Sequence, residues 1–500
     1  MNLASIAEPH DADAVALVSR GESITYGTLR ERVARLRAGL VSLGLEPGDR
    51  VGIVCANTPR FVESWLAVLG AGLVAVPLNP QSPGPELTDE LAVVGARAVL
   101  VGELGAACAR DIDRAAVPAL EHVLVFRAGD VDGALTVDDL PAEPAVAIVD
   151  RAPDDLATLM FTSGTAGSPR AAMLTHGNLL INLEQMQSLD AIARRADDIG
   201  FGLLPLFHIF GLNVVLNGSL LVGSPLILVE RFDPMATLEL IRSAGITLVT
   251  GPPTMWGAWA ALPDAPTDAF ASVRLAASGA ARLPVEIAER IEERFGVRIS
   301  EGYGLTETSP VVTTSAGTDS PFGSIGRPLP GVEVRLIDDD GHDVLVGDDG
   351  EIWVRGPHVF TGYWDDPVAT DLALTPDGWL RTGDMAVIDD VGHLFIVDRA
   401  KDLIIVSGFN VYPAEVEAAL STHPAVAEAA VVGVPHPHTG EAIRAYVVIE
   451  PGAQIDEEEL IAHVATRLAR YKCPNSVEVV PEIPRGLGGK LLRREFRAAG

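Results

Sequence analysis

Lysine is nearly absent from this chain. Of 37 basic residues in 500, only Lys401, Lys472 and Lys490 are lysines, and all the others are arginine. Acidic residues number 68, so the formal net charge is −31. A chain this negative repels polyanions, which argues against non-specific binding to nucleic acid or to anionic membrane surfaces. Any phosphate ligand must be held by a locally built site of backbone N–H groups and a few chosen cations. With arginine as the default cation, each lysine marks a candidate position where arginine would not serve.

Cysteine is scarce as well. Cys55, Cys108 and Cys473 stand far apart, which excludes a disulfide framework and zinc spacing. A reducing cytoplasm fits such usage. Residues 1–11 lack a basic stretch followed by an apolar core, so no signal peptide is expected. The longest uncharged run, residues 210–229, is broken by Asn213, Asn217, three glycines and Pro225. It reads as a buried helix followed by a buried strand, not as a membrane span.

What is present is an ordinary globular composition, 48% hydrophobic and 21% charged, with length for two or more domains. Residues 26–43 have helical spacing, 51–56 form a buried-strand run, 61–69 are helical and 74–78 form another strand. The same β–α alternation returns with residues 220–229, 234–243 and 246–249. It predicts parallel sheets flanked by helices. Between residues 322 and 400, short strands such as 332–336 and 351–354 are separated by Asp/Gly turns, which predicts an antiparallel unit. Beyond residue 402 the pattern becomes strand, helix, strand, with helices at 414–420 and 457–470. The charged segment 398–402 is the best domain boundary.

Five segments carry chemistry. The first, FTSGTAGSPR at residues 161–170, follows an apolar run and combines Thr162, Ser163, Gly164, Thr165 and Gly167 with the cation Arg170. Glycines let backbone N–H groups converge, hydroxyls donate and the cation neutralises, as a phosphate-gripping loop requires. It is not the G-x-x-x-x-G-K-[ST] loop. An ordinary Ser/Gly loop has the same composition. The second, EGYGLTET at 301–308, sets Tyr303 between Gly302 and Gly304, followed by Thr306 and Glu307. An aromatic there can lie on a purine, and a carboxylate can hold Mg²⁺ against phosphate oxygens. The third, DGWLRTGD at 377–384, ends in Asp384, suited to accept two ribose hydroxyls. The fourth runs from Asp398 through Arg399 and Lys401 to Ser407, Gly408 and Phe409. The last, PRGLGGK at 484–490, presents Lys490 on a glycine-rich loop.

In this order and spacing the five segments resemble the adenylate-forming superfamily, and the resemblance covers essentially the whole chain. The superfamily includes acyl-CoA synthetases, aryl-CoA ligases, luciferases and adenylation domains of peptide synthetases. The stretch 407–417 is most similar to bacterial medium- and long-chain fatty acyl-CoA synthetases. The implied fold class is α/β. A large N-terminal domain, residues 1–399, would hold two α/β subdomains and a small antiparallel β-barrel. A small mobile α+β domain would follow at 400–500, hinged at Lys401.

The resemblance also implies roles. The loop 162–170 would wrap the β- and γ-phosphates of ATP. Tyr303 would flank adenine, with Gly279 and Ala280 opposite and Gly304 beside it. Thr306 would touch the α-phosphate, Glu307 would bind Mg²⁺, and Asp384 with Arg399 would take the ribose. Lys490 would sit between the carboxylate and the α-phosphate. His208 would stand where the acyl pocket meets the thiol channel. Ser407, Gly408 and Phe409 would line the coenzyme A tunnel, and Phe207, Gly211, Thr254 and Gly302 the acyl pocket. The implied activity is ATP-dependent acid:CoA ligation of a medium- or long-chain fatty acid through acyl-AMP. An aryl, short or dicarboxylic acid, or a carrier-protein pantetheine acceptor, stays open. So does a homodimer, and so does a non-catalytic nucleotide sensor. Ala166, Arg170 and Ala171 stand where the family usually has threonine, lysine and glycine. The hydroxyl missing at Ala166 would weaken ATP binding by roughly 1 kcal/mol. Three further features read as structural. His436-Pro437-His438 is expected to be a surface turn, Trp379 to be packing, and Arg274 to be an ion-pair partner.

Overall fold

The computed structural model describes residues 1–163, 169–338, 340–399, 404–450, 455–484 and 496. Two large sheets dominate. One has seven strands in the order Leu135–Thr136, His122–Val125, Ala98–Val101, Arg50–Val54, Val74–Pro77, Leu156–Ser163 and Pro169–Thr175. All neighbours are parallel except the last pair, a hairpin in which Thr162 faces Arg170. The other has nine strands. Its parallel centre is Ile299–Gly304, Leu275–Ser278, Leu248–Gly251, Gly200–Gly202, Leu226–Leu228 and Val15–Ser19. The sequence alternation of buried strands and helices is what such doubly covered sheets demand.

Helices fill the space between the sheets. Pro59–Gly70, with proline in its first turn, buries Phe61, Trp65 and Leu66. It meets the run at 210–229, whose first turns, Phe210–Asn217, are π-helical because the Gly218 N–H reaches Asn213 O. Trp65 Nε1 donates to Asn217 Oδ1 at 3.0 Å, and Asn213 donates to Leu179 O and Ser309 O at 3.1 and 2.7 Å. These satisfied asparagines explain why an uncharged run of this length sits inside a globular core. The run continues as the helix Gly218–Val222 and the strand Leu226–Leu228, in the expected order. Among the described residues no helix is long and apolar enough to cross a membrane.

The antiparallel unit is a four-stranded sheet of Glu333–Ile337, Asp349–Arg355, Leu380–Ile388 and Leu394–Arg399. Leu394 exchanges hydrogen bonds with the segment 325–326, which curls the last strand back toward the nine-stranded sheet. After residues 400–403, which lie outside the described part, the chain enters a third body. Its sheet contains Ile404–Val406, Phe409–Val411, Val426–His436, Gly440–Ile449 and Ser476–Val479. Pro413–Ser421 and Glu457–Ala465 pack on it. The second helix ends five residues before the expected 470, and the chain continues as the 3₁₀ turn Arg470–Lys472.

The readings of Trp379 and Arg274 match the fold. Trp379 is buried with Arg355 and Arg335 over its ring at 4.5 and 5.3 Å. Arg274 Nε donates to Asp198 Oδ1 at 2.6 Å.

Candidate active site

A single cavity of about 1180 Å³ opens where the carboxyl ends of the central strands, the antiparallel sheet and the C-terminal body meet. Open parallel sheets place ligand sites at such strand ends. The glycines here are dictated by close approach. A Cβ on Gly304 would lie 1.9 Å from Pro310 O, and one on Gly279 3.1 Å from the Phe210 ring. Ala280 takes a left-handed φ of 67°, turning the chain sharply after the strand Leu275–Ser278.

The cavity gathers residues that lie far apart in sequence. Thr162 and Arg170 line one side of it, while residues 164–168, including Gly164, Thr165 and Gly167, lie outside the described part, as does the Ser163 side chain. Gly279, Ala280, Gly302, Tyr303, Gly304, Thr306, Glu307 and Asp384 all line it. Tyr303 donates its hydroxyl to Asp384 Oδ2 at 2.8 Å, which ties the aromatic expected on adenine to the carboxylate expected on ribose. Arg399 continues the strand beside Asp384, with its backbone paired to that residue. Lys401 and Lys490 lie outside the described residues.

Sequence reasoning missed that Glu307, Tyr363, Arg170 and Asp366 form one chain of contacts. Tyr363 donates its hydroxyl to Glu307 Oε1 at 2.6 Å. Its ring lies 5.9 Å beneath the Arg170 guanidinium, and Arg170 Nε pairs with Asp366 at 3.1 Å. Burial and the neighbouring Glu307 raise the Tyr363 phenol far above its ordinary range, so it stays a donor. The aromatic and acid in GYWDD, residues 362–366, were the available signal. Nothing local to that stretch says that it folds over a strand nearly two hundred residues earlier.

The C-terminal body brings the loop after Val406 to the cavity. Ser407 and Gly408 have φ of 54° and 87°, and a Cβ on Gly408 would sit 2.9 Å from the Pro252 side chain. Phe409 stacks on Tyr471 at 4.5 Å and on Phe207 at 6.3 Å, and meets His208 edge-on. Burial lowers the His208 imidazole to about 4, so the ring is neutral at pH 7. Its Nδ1 accepts from the Phe210 N–H at 3.3 Å. His208, Thr254 and Gly408 line the cavity, whereas Ser407, Phe409, Phe207 and Gly211 are not among its lining residues. Gly211 instead packs on the Pro205 carbonyl, where a Cβ would approach to 2.2 Å. The turn His436-Pro437-His438 is a surface turn that also edges the cavity mouth. No group of metal-ligating side chains forms among the described residues.

Away from the strand ends, the cavity runs between apolar walls that include Leu183, Met186, Ile192, Val214 and Leu221. This portion suits an apolar acyl body.

Comparison with known proteins gives the same outline. The chain matches the AMP-binding enzyme family over residues 4–364 and the AMP-binding enzyme C-terminal domain over 415–490. A feruloyl-CoA synthase of Amycolatopsis sp is 40% identical over 491 residues, covering 98% of this chain and 96% of that one. A long-chain-fatty-acid–CoA ligase of Yersinia pestis is 38% identical over 525 residues, covering 97% and 92%. The solved structure of an amide bond synthetase from Marinactinospora thermotolerans superposes with a TM-score of 0.90 at 31% identity. It covers 100% of this chain and 99% of that one.

Proposed function

The chain belongs to the AMP-binding enzyme family, and from that premise we propose that it is an ATP-dependent acid:CoA ligase working through an acyl-adenylate. One observation carries the reading. A single cavity joins the hairpin at Thr162 and Arg170, the Tyr303–Asp384 pair, Thr306 with Glu307, and the Gly408 loop of the C-terminal body.

A carboxylate is a poor acyl donor because its carbonyl is deactivated and oxide is a poor leaving group. The remedy is a mixed anhydride. A carboxylate oxygen attacks the α-phosphorus of ATP, the bond to the β-phosphate oxygen breaks, and pyrophosphate leaves. Arg170 and the loop 162–170 hold the leaving phosphates, and Thr306 donates to the α-phosphate. Tyr303, with Gly279 and Ala280 opposite, fixes adenine, and Asp384 with Arg399 fixes the ribose. Lys490 screens the repulsion between the two anions and aligns them, which is positioning plus electrostatic stabilisation. When bound, Mg²⁺ supplies charge neutralisation on the phosphate oxygens. Glu307, a hard oxygen donor facing the cavity, is the residue that would hold it. In the second step a thiol attacks the acyl carbon, and AMP leaves with the bridging oxygen. Gly408 leaves room for a pantetheine arm beside Pro252, and neutral His208 walls the junction without placing a charge there. We assign the change between steps to rotation of the C-terminal domain, residues 400–500, about Lys401.

The acid we propose is an apolar one, an aliphatic chain of medium or greater length or an aromatic ring. The walls at Leu183, Met186 and Val214 support this. The test is pyrophosphate release by purified protein with Mg·ATP and a panel of fatty, aryl and dicarboxylic acids, each with and without CoA. Acid-dependent release accelerated by CoA is the expected result. Release that CoA does not accelerate would replace CoA with another acceptor. No release with any acid would favour a nucleotide-binding sensor.

A further inference from the structure

The apolar portion of the cavity ends in a charge. Arg194, in the loop that precedes the strand Gly200–Gly202, faces it. In parallel register Gly200 is level with Leu248, and Leu248 with Leu275. Gly279, at the nucleotide end, lies four residues further along the neighbouring strand. At about 3.3 Å per residue Gly200, beside which the guanidinium lies, is set back roughly 13 Å along the strands from Gly279.

The guanidinium occupies a built seat. A Cβ on Gly218 would lie 2.7 Å from Arg194 Nε, and one on Gly200 would lie 3.6 Å from a terminal nitrogen, so both glycines leave it space. The guanidinium donates to Ser219 Oγ at 3.1 Å and to Val214 O at 2.8 Å. Gln187 clamps the arginine backbone from both sides: Arg194 N donates to its Oε1 at 2.8 Å, and its Nε2 donates to Arg194 O at 2.7 Å. A guanidinium has five N–H donors, and these bonds use two of them. Among the described residues no carboxylate pairs with Arg194. The nearby Asp198 is committed to Arg274, the Arg195 N–H and Thr247. Burial lowers the Arg194 guanidinium only to about 10, so it remains charged at pH 7. A cation held in place, lacking a carboxylate partner and facing the apolar portion of the cavity, costs stability unless a ligand satisfies it.

We infer that Arg194 is a specificity residue for the acid, and that the acid carries a second oxygen acceptor at the end remote from the carboxyl being activated. This rests on the ligase reading. It keeps the apolar body of the acid proposed above and adds a polar far end, as in a hydroxyaryl, keto or long dicarboxylic acid. Hydrogen bonds from a charged donor change binding by about 10- to 100-fold.

The experiment compares kcat/KM for matched acids. One pair is octanoate and octanedioate. The other set is 3-phenylpropanoate with its 4-hydroxy and 4-carboxy derivatives. In the intact protein the oxygenated member is expected to exceed its bare partner by about 10- to 100-fold. In Arg194→Met that ratio is expected to collapse to within about threefold. The ratio is the readout, so a general loss of rate does not decide it. Arg194→Lys, which keeps the charge but loses the fork, serves if the methionine variant does not fold. It is expected to retain preference for the carboxylate probes and to lose it for the hydroxyl probe. The comparison of carboxyl with hydroxyl probes identifies which acceptor the site takes. A ratio near one in the intact protein, or a large ratio that survives Arg194→Met, overturns the inference while leaving the ligase reading intact. Failure of every acid to release pyrophosphate sinks that reading, and the inference with it.

Discussion

Replacing Glu86 by glutamine should uncouple the two half-reactions. Glu86 lies in the first turn of the helix Gly84–Val94, in the N-terminal domain, yet its partners are in the C-terminal body. Lys472 Nζ donates to Glu86 Oε1 at 2.5 Å and to Glu415 Oε1 at 2.7 Å, and the Ala469 N–H donates to Glu86 Oε2 at 2.7 Å. Lys472, Glu86 and Glu415 are all buried, as is Glu90 beside them. Burial opposes the charge on Lys472, but Tyr471, Glu86 and Glu415 outweigh it and hold the ammonium well above its ordinary range. Burial and Glu86 together push the Glu90 carboxyl well above the usual carboxylate range. Breaking a buried pair costs about 3–5 kcal/mol when one charge is left alone. Here Glu415 remains to pair with the ammonium. A cost of about 2 kcal/mol to the docked orientation follows, close to a 30-fold shift in its population. This orientation carries the Gly408 loop to the cavity, so thioester formation is the step that suffers. Rapid-quench measurement of acyl-AMP conversion by CoA should fall 10- to 30-fold, while acid-dependent ATP–pyrophosphate exchange stays within about threefold. An equal fall in both steps, or no fall in either, would refute the latch.

Three further outcomes are expected. Gly408→Ala places a methyl 2.9 Å from Pro252 and forces a left-handed φ. It should slow thioester formation at least 10-fold with adenylation retained, measured in the same two assays. Lys490→Ala should abolish pyrophosphate exchange yet spare thioester formation from supplied acyl-AMP. Loss of both would count against the assignment. His358 is fully buried, with both ring nitrogens lacking a partner, and burial lowers it to about 4. The unfolded ring titrates near 6.5. The stability carried by the neutral ring is therefore complete above about pH 6.5 and is lost as pH falls toward 4. Between pH 7 and 5 the stability difference between the intact protein and His358→Leu should move by about 2 kcal/mol against the intact protein in paired urea melts. A difference that does not change with pH would contradict the lowered value.

Much of the molecule was legible in the sequence for physical reasons that are local. Strands buried on both faces read as short apolar runs, so the two parallel sheets follow from 51–56, 74–78 and 246–249 alone. That Thr162, Arg170, Tyr303, Glu307 and Asp384 line one cavity was legible because glycine, hydroxyl and acid recur in those motifs at short intervals. The scarcity of lysine singled out Lys472 without saying why. Its partner Glu86 lies 386 positions away, and only folding shows that Glu86 and Glu415 share one ammonium. Arg194 left no trace at all, since an arginine in a polar loop of an arginine-rich chain has no periodic signature. The same holds for Tyr363, whose hydroxyl finds Glu307 through a tertiary contact that no local pattern encodes. Gly211 was expected in the acyl pocket by position within a motif, whereas its lack of a side chain serves the packing against Pro205.

The central claim is that a carboxylate oxygen of the acid becomes bonded to the α-phosphorus of ATP. The most direct test supplies the acid with ¹⁸O in its carboxyl group, together with Mg·ATP and CoA, and reads the nucleotide product by mass spectrometry. The account predicts AMP carrying one ¹⁸O, formed in step with acyl-CoA. Unlabelled AMP, or ADP in its place, would contradict it.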